Sequence, residues 1–565
     1  VKGGDHEHHR LPWLQPDQVR DAKQRRSDDP DYNPSTLFVP DGYLRGDARF
    51  HATGGKPRKI TPAMTAWWGF KQRYFDTVLF FKVGKFYEIY HMDADTAVQH
   101  LGLMYMSGDV AHCGFPEKAY GKFSEQLLDL GYRVARVEQT ETPQQQKERT
   151  GKNSGPVRRE VCGIISPGTR TLDIRDGLAF EERPNTAVQL ISVFESGQVI
   201  GVCVLDATTA RFSVGAFEDE ANRARLRMLL ARENPAELVY CLGNVSEPTR
   251  ELLERACPSV PGAKGSVTHT LVPKVASTSA AEAKALLAEL GSAKSGYFAD
   301  GQPTLLTALE QGGPSGEAAL AALSVCLRVL KRALIDRKLV SMGNFTAYVL
   351  PGTDRPAPEV DGSLPGATDA GDALQGEKCV LDGQAIANLD LFHGAAGPSS
   401  AASSGADGSL IGFLDHCVTR FGKRELRRWV ASPLQSGSEI RSRQVKISGL
   451  IALLQRGDVV PNLRSHMRSL PDMERMLQRV HSIGVKDPNH PDSRAVLYDF
   501  VEYNKGKIQC LVQTLTGARI ALKVLEDLGA ALGDCADEIP APALEALKPL
   551  CDVPTSEWAQ LIDKF

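Results

Sequence analysis

Apolar residues change their period part-way along this chain, and that change restricts the class of fold open to it. Up to about residue 241 they come in short runs broken by glycine and polar turns. Beyond Pro314 they recur as Leu320, Leu323, Leu327, Leu330 and Leu334, at steps of three and four. Short runs of this kind are strands, and stepped leucines are the buried stripe of an amphipathic helix. The expected fold class is therefore multidomain, α/β in the first part and all-α in the second. At roughly 150 residues per domain, 565 residues make three or four units, each large enough for its own core.

Residues 1–55 are rich in Asp, Arg, Pro and His, with apolar islands at Leu11 to Leu14 and Leu37 to Val39, and read as an extended or partly disordered arm. A first α/β unit, 56–180, begins with a helix through Trp67 to Tyr74. Strands Val78 to Val83 and Phe86 to Tyr90 follow around a turn at Gly84, then a helix with Asp93 as its N-cap. A helix over Ala119 to Leu130, closed by Gly131, leads into a strand Tyr132 to Glu138. After a polar linker Pro143 to Pro156, a last strand lies near Glu160 to Ile165. The second unit, 185–310, opens with strands Ala187 to Phe194, Val199 to Asp206 and Arg211 to Ala216. A helix Glu220 to Arg232 and a strand Leu238 to Cys241 complete a mixed sheet covered by helices. Helical sequence fills 314–565, interrupted by Gly-, Ala-, Ser- and Pro-rich stretches at 352–377 and 394–408 that read as flexible insertions.

Composition narrows the partners. A net charge of -3 gives no global bias toward polyanions, so any basic surface is local. Eleven cysteines without a C-x-x-C pair argue against a disulfide framework or zinc ribbon and for a reducing, intracellular setting. No run approaches the roughly 18 apolar residues of a membrane span, and the start VKGGDHEHHR lacks a signal-peptide core, so no membrane partner is expected. The chain opens at Val1 and helical sequence stops at Phe565, as expected of a piece of a longer polypeptide.

One local region is cationic: Lys56, Arg58, Lys59, Lys71, Arg73, Lys82 and Lys85 outnumber Asp76 and Glu88, which suits a polyanion. Composition alone favours a core Phe86 beside a solvated lysine face. Two details point elsewhere. Gly84 frees the backbone before Phe86, and strand alternation puts Phe86 and Glu88 on one side with Tyr87 and Ile89 on the other. A Phe can wedge between base pairs and kink DNA, at a cost that falls where the stack is weakened. Asp206 ends an apolar strand, as the first metal-binding carboxylate of a nuclease would, but no companion carboxylates are placed with it and a turn role is favoured. His6, His8 and His9 could bind a metal adventitiously, but a mobile arm is the simpler account, and the adjacent pairs His112 with Cys113 and His416 with Cys417 are poorly spaced for chelation on their own. No metal site is expected.

The segments TPAMTAWW, FFKVGKFYEIYHMDA, HCGFPEKAYGKFSEQL and YRVARVEQTETP, within Thr61 to Glu141, resemble the mismatch-binding domain of the MutS family of DNA mismatch repair proteins. Gly84, Phe86, Tyr87 and Glu88 match its G-x-F-Y-E core. The upstream DDPDYNPSTLFVP is similar to the mismatch-contacting subunit of the eukaryotic MutSα heterodimer. NTAVQLISVFESGQVIGVCVLDATTARFSVGAF resembles the family's connector, and GSLIGFLDHCVTRFGKRELRRWVASPL and LPDMERMLQRVHSIG its core and lever helices. The resemblance implies a mixed-sheet α/β mismatch-binding domain, a ribonuclease-H-like α/β connector and an incomplete helical core and lever domain. It implies that Phe86 stacks on one base of a mismatch and that Glu88 hydrogen-bonds to it, with Gly84 supporting. Lys82 and Lys85 are added as phosphate contacts from charge and position. Phe421, Gly422, Arg424, Leu426, Arg427, Trp429 and Pro433 match a structural signature, expected as buried helix contacts with surface arginines.

The implied partners are mismatched double-stranded DNA and a second MutS homologue, and the implied location is the nucleus. Full-length family members are DNA-dependent ATPases that use ATP and Mg²⁺ at a Walker A loop. No G-x-x-x-x-G-K-[ST] occurs here: Cys417 stands where its first Gly should be and Arg424 where Ser or Thr should bind Mg²⁺. No cofactor and no catalytic residue are therefore expected in this stretch. Two rival readings are a metal-dependent nuclease using Asp206 and a DNA-binding paralogue specific for another DNA structure.

Overall fold

The computed structural model describes residues 6–29, 31–50, 60–151, 155–171, 189–272, 304–350, 378–392 and 408–551, apart from a few single positions, with a few isolated residues outside these stretches. Its first sheet has the order β3-β2-β1-β4-β5, formed by β1 (Thr77–Val83), β2 (Phe86–Tyr90), β3 (His112–Pro116), β4 (Arg133–Gln139) and β5 (Arg159–Ile165). β1 pairs antiparallel with β2 and parallel with β4, so the sheet is mixed. Central β1 is buried on both sides. Val78 and Phe80 face a core with Leu127, while Leu79 and Phe81 face one with Trp67 and Trp68.

The helix beneath it, Pro62–Lys71, starts earlier than the aromatic run suggests, because Pro62 sits in the first turn and the Thr61 hydroxyl accepts from Met64 N. Asp93 is not an N-cap. The helix begins at His91, and Asp93 is buried in its first turn, accepting from Leu79 N at 3.0 Å and from Lys71 Nζ at 2.6 Å. Within the expected polar linker, Pro143–Thr150 is a helix, opened by a reciprocal capping box between Thr142 and Gln145.

The described part of the N-terminal arm is packed rather than extended. Leu11, Leu37, Val39 and Tyr43 are buried in the same core as Trp67 and Trp68. Leu37 N donates to Gln72 O and Phe75 N to Ser35 O, both at 2.9 Å. The two apolar islands are the anchors: fully burying a side chain such as Leu11 contributes roughly 1.5–3 kcal/mol, enough to hold an otherwise polar segment.

The second sheet has the order β10-β9-β6-β7-β8-β11, with β6 (Gln189–Ser196), β7 (Val199–Asp206), β8 (Arg211–Glu218), β9 (Glu237–Cys241), β10 (Thr268–Val272) and β11 (Phe345–Ala347). β6, β7 and β8 form an antiparallel meander, and β9, β10 and β11 add in parallel. Helix Gly313–Ala333, which carries the stepped leucines except its C-cap Leu334, lies across β6, β7 and β8 and is buried nearly all round. Together with β11 it belongs to this sheet's core, so the boundary expected at 314 falls later. A helix covering a sheet buries more than one stripe, which the leucine spacing alone did not convey.

The remaining helices include Arg420–Ala431, Gly437–Gln455, Val459–Arg468, Met473–Gly484 and Phe500–Asp534, the last of 35 residues and about 50 Å long. The signature in Arg420–Ala431 departs from expectation. Arg424 pairs with both oxygens of Asp472 at 2.6 and 2.7 Å, whereas Trp429 is half-exposed under the Arg443 guanidinium. Insertion 352–377, and 394–407 of the second, lie outside the described residues. Among the described residues no helix is long and apolar enough to cross a membrane, and all eleven cysteines are free thiols.

Candidate nucleic-acid interface

β1 and β2 are joined by the two-residue turn Gly84-Lys85, between the paired Val83 and Phe86. Gly84 has φ +58, a left-handed conformation that costs glycine little and other residues more. The turn puts Phe86 at the start of β2, at one end of the sheet, where the residue is 50% exposed. Alternation along β2 then proceeds as the sequence predicts: Tyr87 and Ile89 are buried, while Glu88 and Tyr90 share the side of Phe86 and are partly open.

Glu88 is held by its surroundings. The Tyr90 hydroxyl donates to Oε2, and His112 Nε2 lies 3.5 Å from the same oxygen. The Tyr90 and His112 rings stack at 4.5 Å. Burial works to raise the Glu88 carboxyl, but His112, Tyr90 and the nearby Arg159 charge outweigh it and hold it below the usual carboxylate range. It is thus a fixed anion at neutral pH. Across the sheet Glu88 faces Gly114. A Cβ there would sit 2.9 Å from Tyr87 O, a backbone atom that cannot swing aside.

Lys85, at the turn, is exposed beside Phe86, and its carbonyl accepts from Glu117 N at 2.9 Å. Lys82 is not a phosphate contact. Its side chain is 0% exposed, and the ammonium lies 2.9 Å from Glu117 Oε1, an ion-pair distance without hydrogen-bond alignment. It also sits 4.5 Å from the centre of the Tyr87 ring. The reason is register: Lys82 pairs directly with Tyr87, so the two project from the same face into the core. Lys71 is likewise buried, against Asp93. Lys56, Arg58 and Lys59 lie outside the described residues, so the described cationic rim is narrower than the sequence suggests, with Lys85, Arg73 and Lys118 exposed.

Behind the hairpin, a buried polar chain continues inward. Tyr87 OH donates to Glu138 Oε1 at 2.5 Å, Arg136 Nη1 donates to the same oxygen at 3.0 Å, and Arg136 Nη2 reaches Asp492 Oδ1 at 2.9 Å. Tyr503 OH donates to Glu117 Oε1 at 3.2 Å. Tyr90, His112 and Arg159 were missed as site residues. Tyr90, two positions after Glu88, was within reach of the same alternation argument, but His112 and Arg159 come from other strands and left no local signal.

Asp206 is engaged in its own turn: Oδ1 accepts from Thr208 N at 2.9 Å and from the Thr208 hydroxyl at 2.6 Å. That is the work of a strand-end turn residue, and the nuclease reading has no support.

Residues 61–173 match the family MutS domain I, residues 188–261 MutS domain II and residues 384–553 MutS domain III, in chain order. The chain belongs to the MutS family. It is 35% identical over 570 residues to the DNA mismatch repair protein Msh6 of Gallus gallus, covering 96% of this chain and 39% of that protein. To Msh6 of Homo sapiens it is 34% identical, covering 92% of this chain and 37% of that protein. A bacterial MutS, from Pelotomaculum thermopropionicum, is 28% identical over 73% of this chain and 40% of its own length. The chain thus spans about two fifths of the length of these relatives. In MutS terms the Phe86 hairpin belongs to domain I, and Arg136 with Asp492 ties domain I to domain III.

Proposed function

We propose that these residues form the mismatch-recognition part of a DNA mismatch repair protein, binding duplex DNA that carries a mispair or a small loop. The observation that carries this reading is the half-exposed Phe86 at a glycine turn with an anchored, ionised carboxylate on the same face. Mispaired steps unstack and bend at lower cost than paired ones, so a rigidly backed ring selects them by deformability rather than by sequence. Glu88 repels phosphates and is of use only at a base edge, where it accepts a hydrogen bond. Lys85 at the tip supplies the sequence-independent attraction to the backbone.

A second MutS homologue is the proposed protein partner and the nucleus the proposed location, both in keeping with the similarity to animal Msh6. No cofactor is assigned to residues 1–565; ATP and Mg²⁺ belong to the ATPase part that the family resemblance assigns to full-length members.

The test is Phe86→Ala in gel-shift competition among mismatched, looped, four-way-junction and fully paired DNA. Base stacking on an aromatic ring contributes about 1–3 kcal/mol, so the preference for mismatch over paired duplex should fall about tenfold, with little change in paired-duplex binding. Undiminished preference in the variant would overturn the wedge. A wild-type chain that favours junctions over mispairs would instead identify a paralogue specific for another DNA structure.

A further inference from the structure

Away from the hairpin, the start of the described chain meets the helix His91–Leu101. His8 Nε2 and His9 Nε2 both sit on Asp95 Oδ2, at 2.9 and 2.7 Å, and the three ligand atoms lie within 4.8 Å of one another. Tyr105 OH donates to the other oxygen, Oδ1, at 2.8 Å. Burial opposes ionisation of Asp95, but the contacts from His8, Tyr105 and His9 prevail and hold its carboxyl at about 2. The His8 side chain is 5% exposed and that of His9 45%, so the cluster is closed on one side and open to water on the other.

Hydrogen bonding alone serves this cluster poorly. Two imidazoles that share one carboxylate oxygen must each present Nε2–H to it, which leaves His8 Nδ1 to be satisfied elsewhere, and that atom is buried with no partner. His6 Nε2 and both ring nitrogens of His91 are also buried without partners, and the His6 and His91 rings lie 6.5 and 5.9 Å from that of His8. Such a concentration of unsatisfied imidazole beside an anion is costly as it stands.

We propose that His8, His9 and Asp95 bind a divalent transition-metal ion of the zinc type. Two imidazole nitrogens and one carboxylate oxygen, with an open fourth position on the exposed side of His9, are the donor set that zinc takes in tetrahedral sites. Bonds of about 2.0–2.1 Å in that geometry place donor atoms about 3.3–3.4 Å apart. The two His–Asp distances therefore open by a few tenths of an ångström, which the exposed His9 ring can provide. Calcium and magnesium, which take six or more oxygen ligands, do not suit this set. Tyr105 on Oδ1 orients the carboxylate from behind. The ion would fasten residues 6–10 to the helix that directly follows β2, acting as a staple with no DNA contact.

The test is to strip the whole chain with a chelator and add Zn²⁺ alone, to wild type and to the His9→Gln and Asp95→Asn variants. Bound zinc is measured by equilibrium dialysis with elemental analysis, and thermal unfolding is followed in parallel. His9 lies at the surface and Asn keeps the Asp95 hydrogen-bonding shape, so both variants should fold, which circular dichroism checks. Wild type should hold one more zinc per chain than either variant, or hold it about tenfold or more tighter, and zinc should raise the unfolding temperature of wild type alone. Equal zinc content and equal thermal response in all three proteins, or no zinc retained by wild type, would overturn the site.

Discussion

Glu88 shows how much of the behaviour of a strand carboxylate lies in its neighbours. A carboxylate on a free strand edge would rotate and titrate as an ordinary Glu; here Tyr90 and His112 fix one oxygen and hold the acid in its ionised form. Because the folded carboxyl lies below its unfolded value, the stability it contributes is present above the ordinary carboxylate range and is lost as pH falls through the depressed value. Tyr90→Phe should move that loss to higher pH in thermal unfolding between roughly pH 3 and 6. It should also weaken mismatch preference roughly fivefold, since a hydrogen bond of about 1 kcal/mol no longer orients the carboxylate. Unchanged preference, measured by the same DNA competition, would show that the hydroxyl is not needed for orientation. The face shared by Phe86 and Glu88 was legible because alternation is a property of the strand itself. The burial of Lys82 was not, since it depends on pairing with Tyr87 across the hairpin and on Glu117 from beyond β3.

Between elements, residues between 491 and 503 back the first sheet. Asp492 pairs with Arg136, Arg494 Nη2 reaches Glu160 Oε2 at 2.9 Å, and Val496 N donates to Gln139 O at 2.8 Å. The long helix Phe500–Asp534 starts at once afterwards, with Tyr503 on Glu117. Removing one partner of a buried pair leaves the other charge stranded. Asp492 is one-fifth exposed and Arg136 keeps Glu138, so Asp492→Ala should cost about 2 kcal/mol rather than the full amount. The expected result is a lower unfolding temperature with faster hydrogen exchange in β5 and little change in β6 to β8; equal exchange would mean that the pair does not couple the two regions. At this scale the sequence was legible where punctuation is local. Most strands of the two sheets fall within two residues of expectation, and the Thr142-x-x-Gln145 box that makes a helix of the presumed linker was present to be read.

For the whole molecule, the three regions are covered unequally. Among the described residues the two sheets have continuous cores, whereas the helical region has two small ones, around Leu453, Leu532 and Leu547 and around Ile386, Phe392 and Ala431. Its helices leave Ile447, Leu450, Ile451 and Leu454 exposed on Gly437–Gln455, and Ile508, Leu511 and Val512 exposed on Phe500–Asp534. Apolar faces of this extent are unusual on an isolated soluble chain. Residues 1–565 alone should therefore bind a hydrophobic dye such as anilinonaphthalene sulfonate at neutral pH. Ile508→Gln combined with Val512→Gln should lower that fluorescence without loss of helix by circular dichroism. Dye binding that persists unchanged would place the exposed surface elsewhere.

From its sequence alone the chain determined its class of fold, the identity of most strands, the face shared by Phe86 and Glu88, and its family, because these rest on backbone periodicity and short motifs. Tertiary structure decided what is buried and by what. It turned Lys82 and Lys71 inward, seated the N-terminal segment on Trp67 and Trp68, joined helix Gly313–Ala333 to the second sheet and brought His8 and His9 to Asp95. The physical reason is that a buried charge or imidazole needs a partner, and these partners come from far along the chain: Arg136 and Asp492 are 356 residues apart. No local pattern encodes such a pairing.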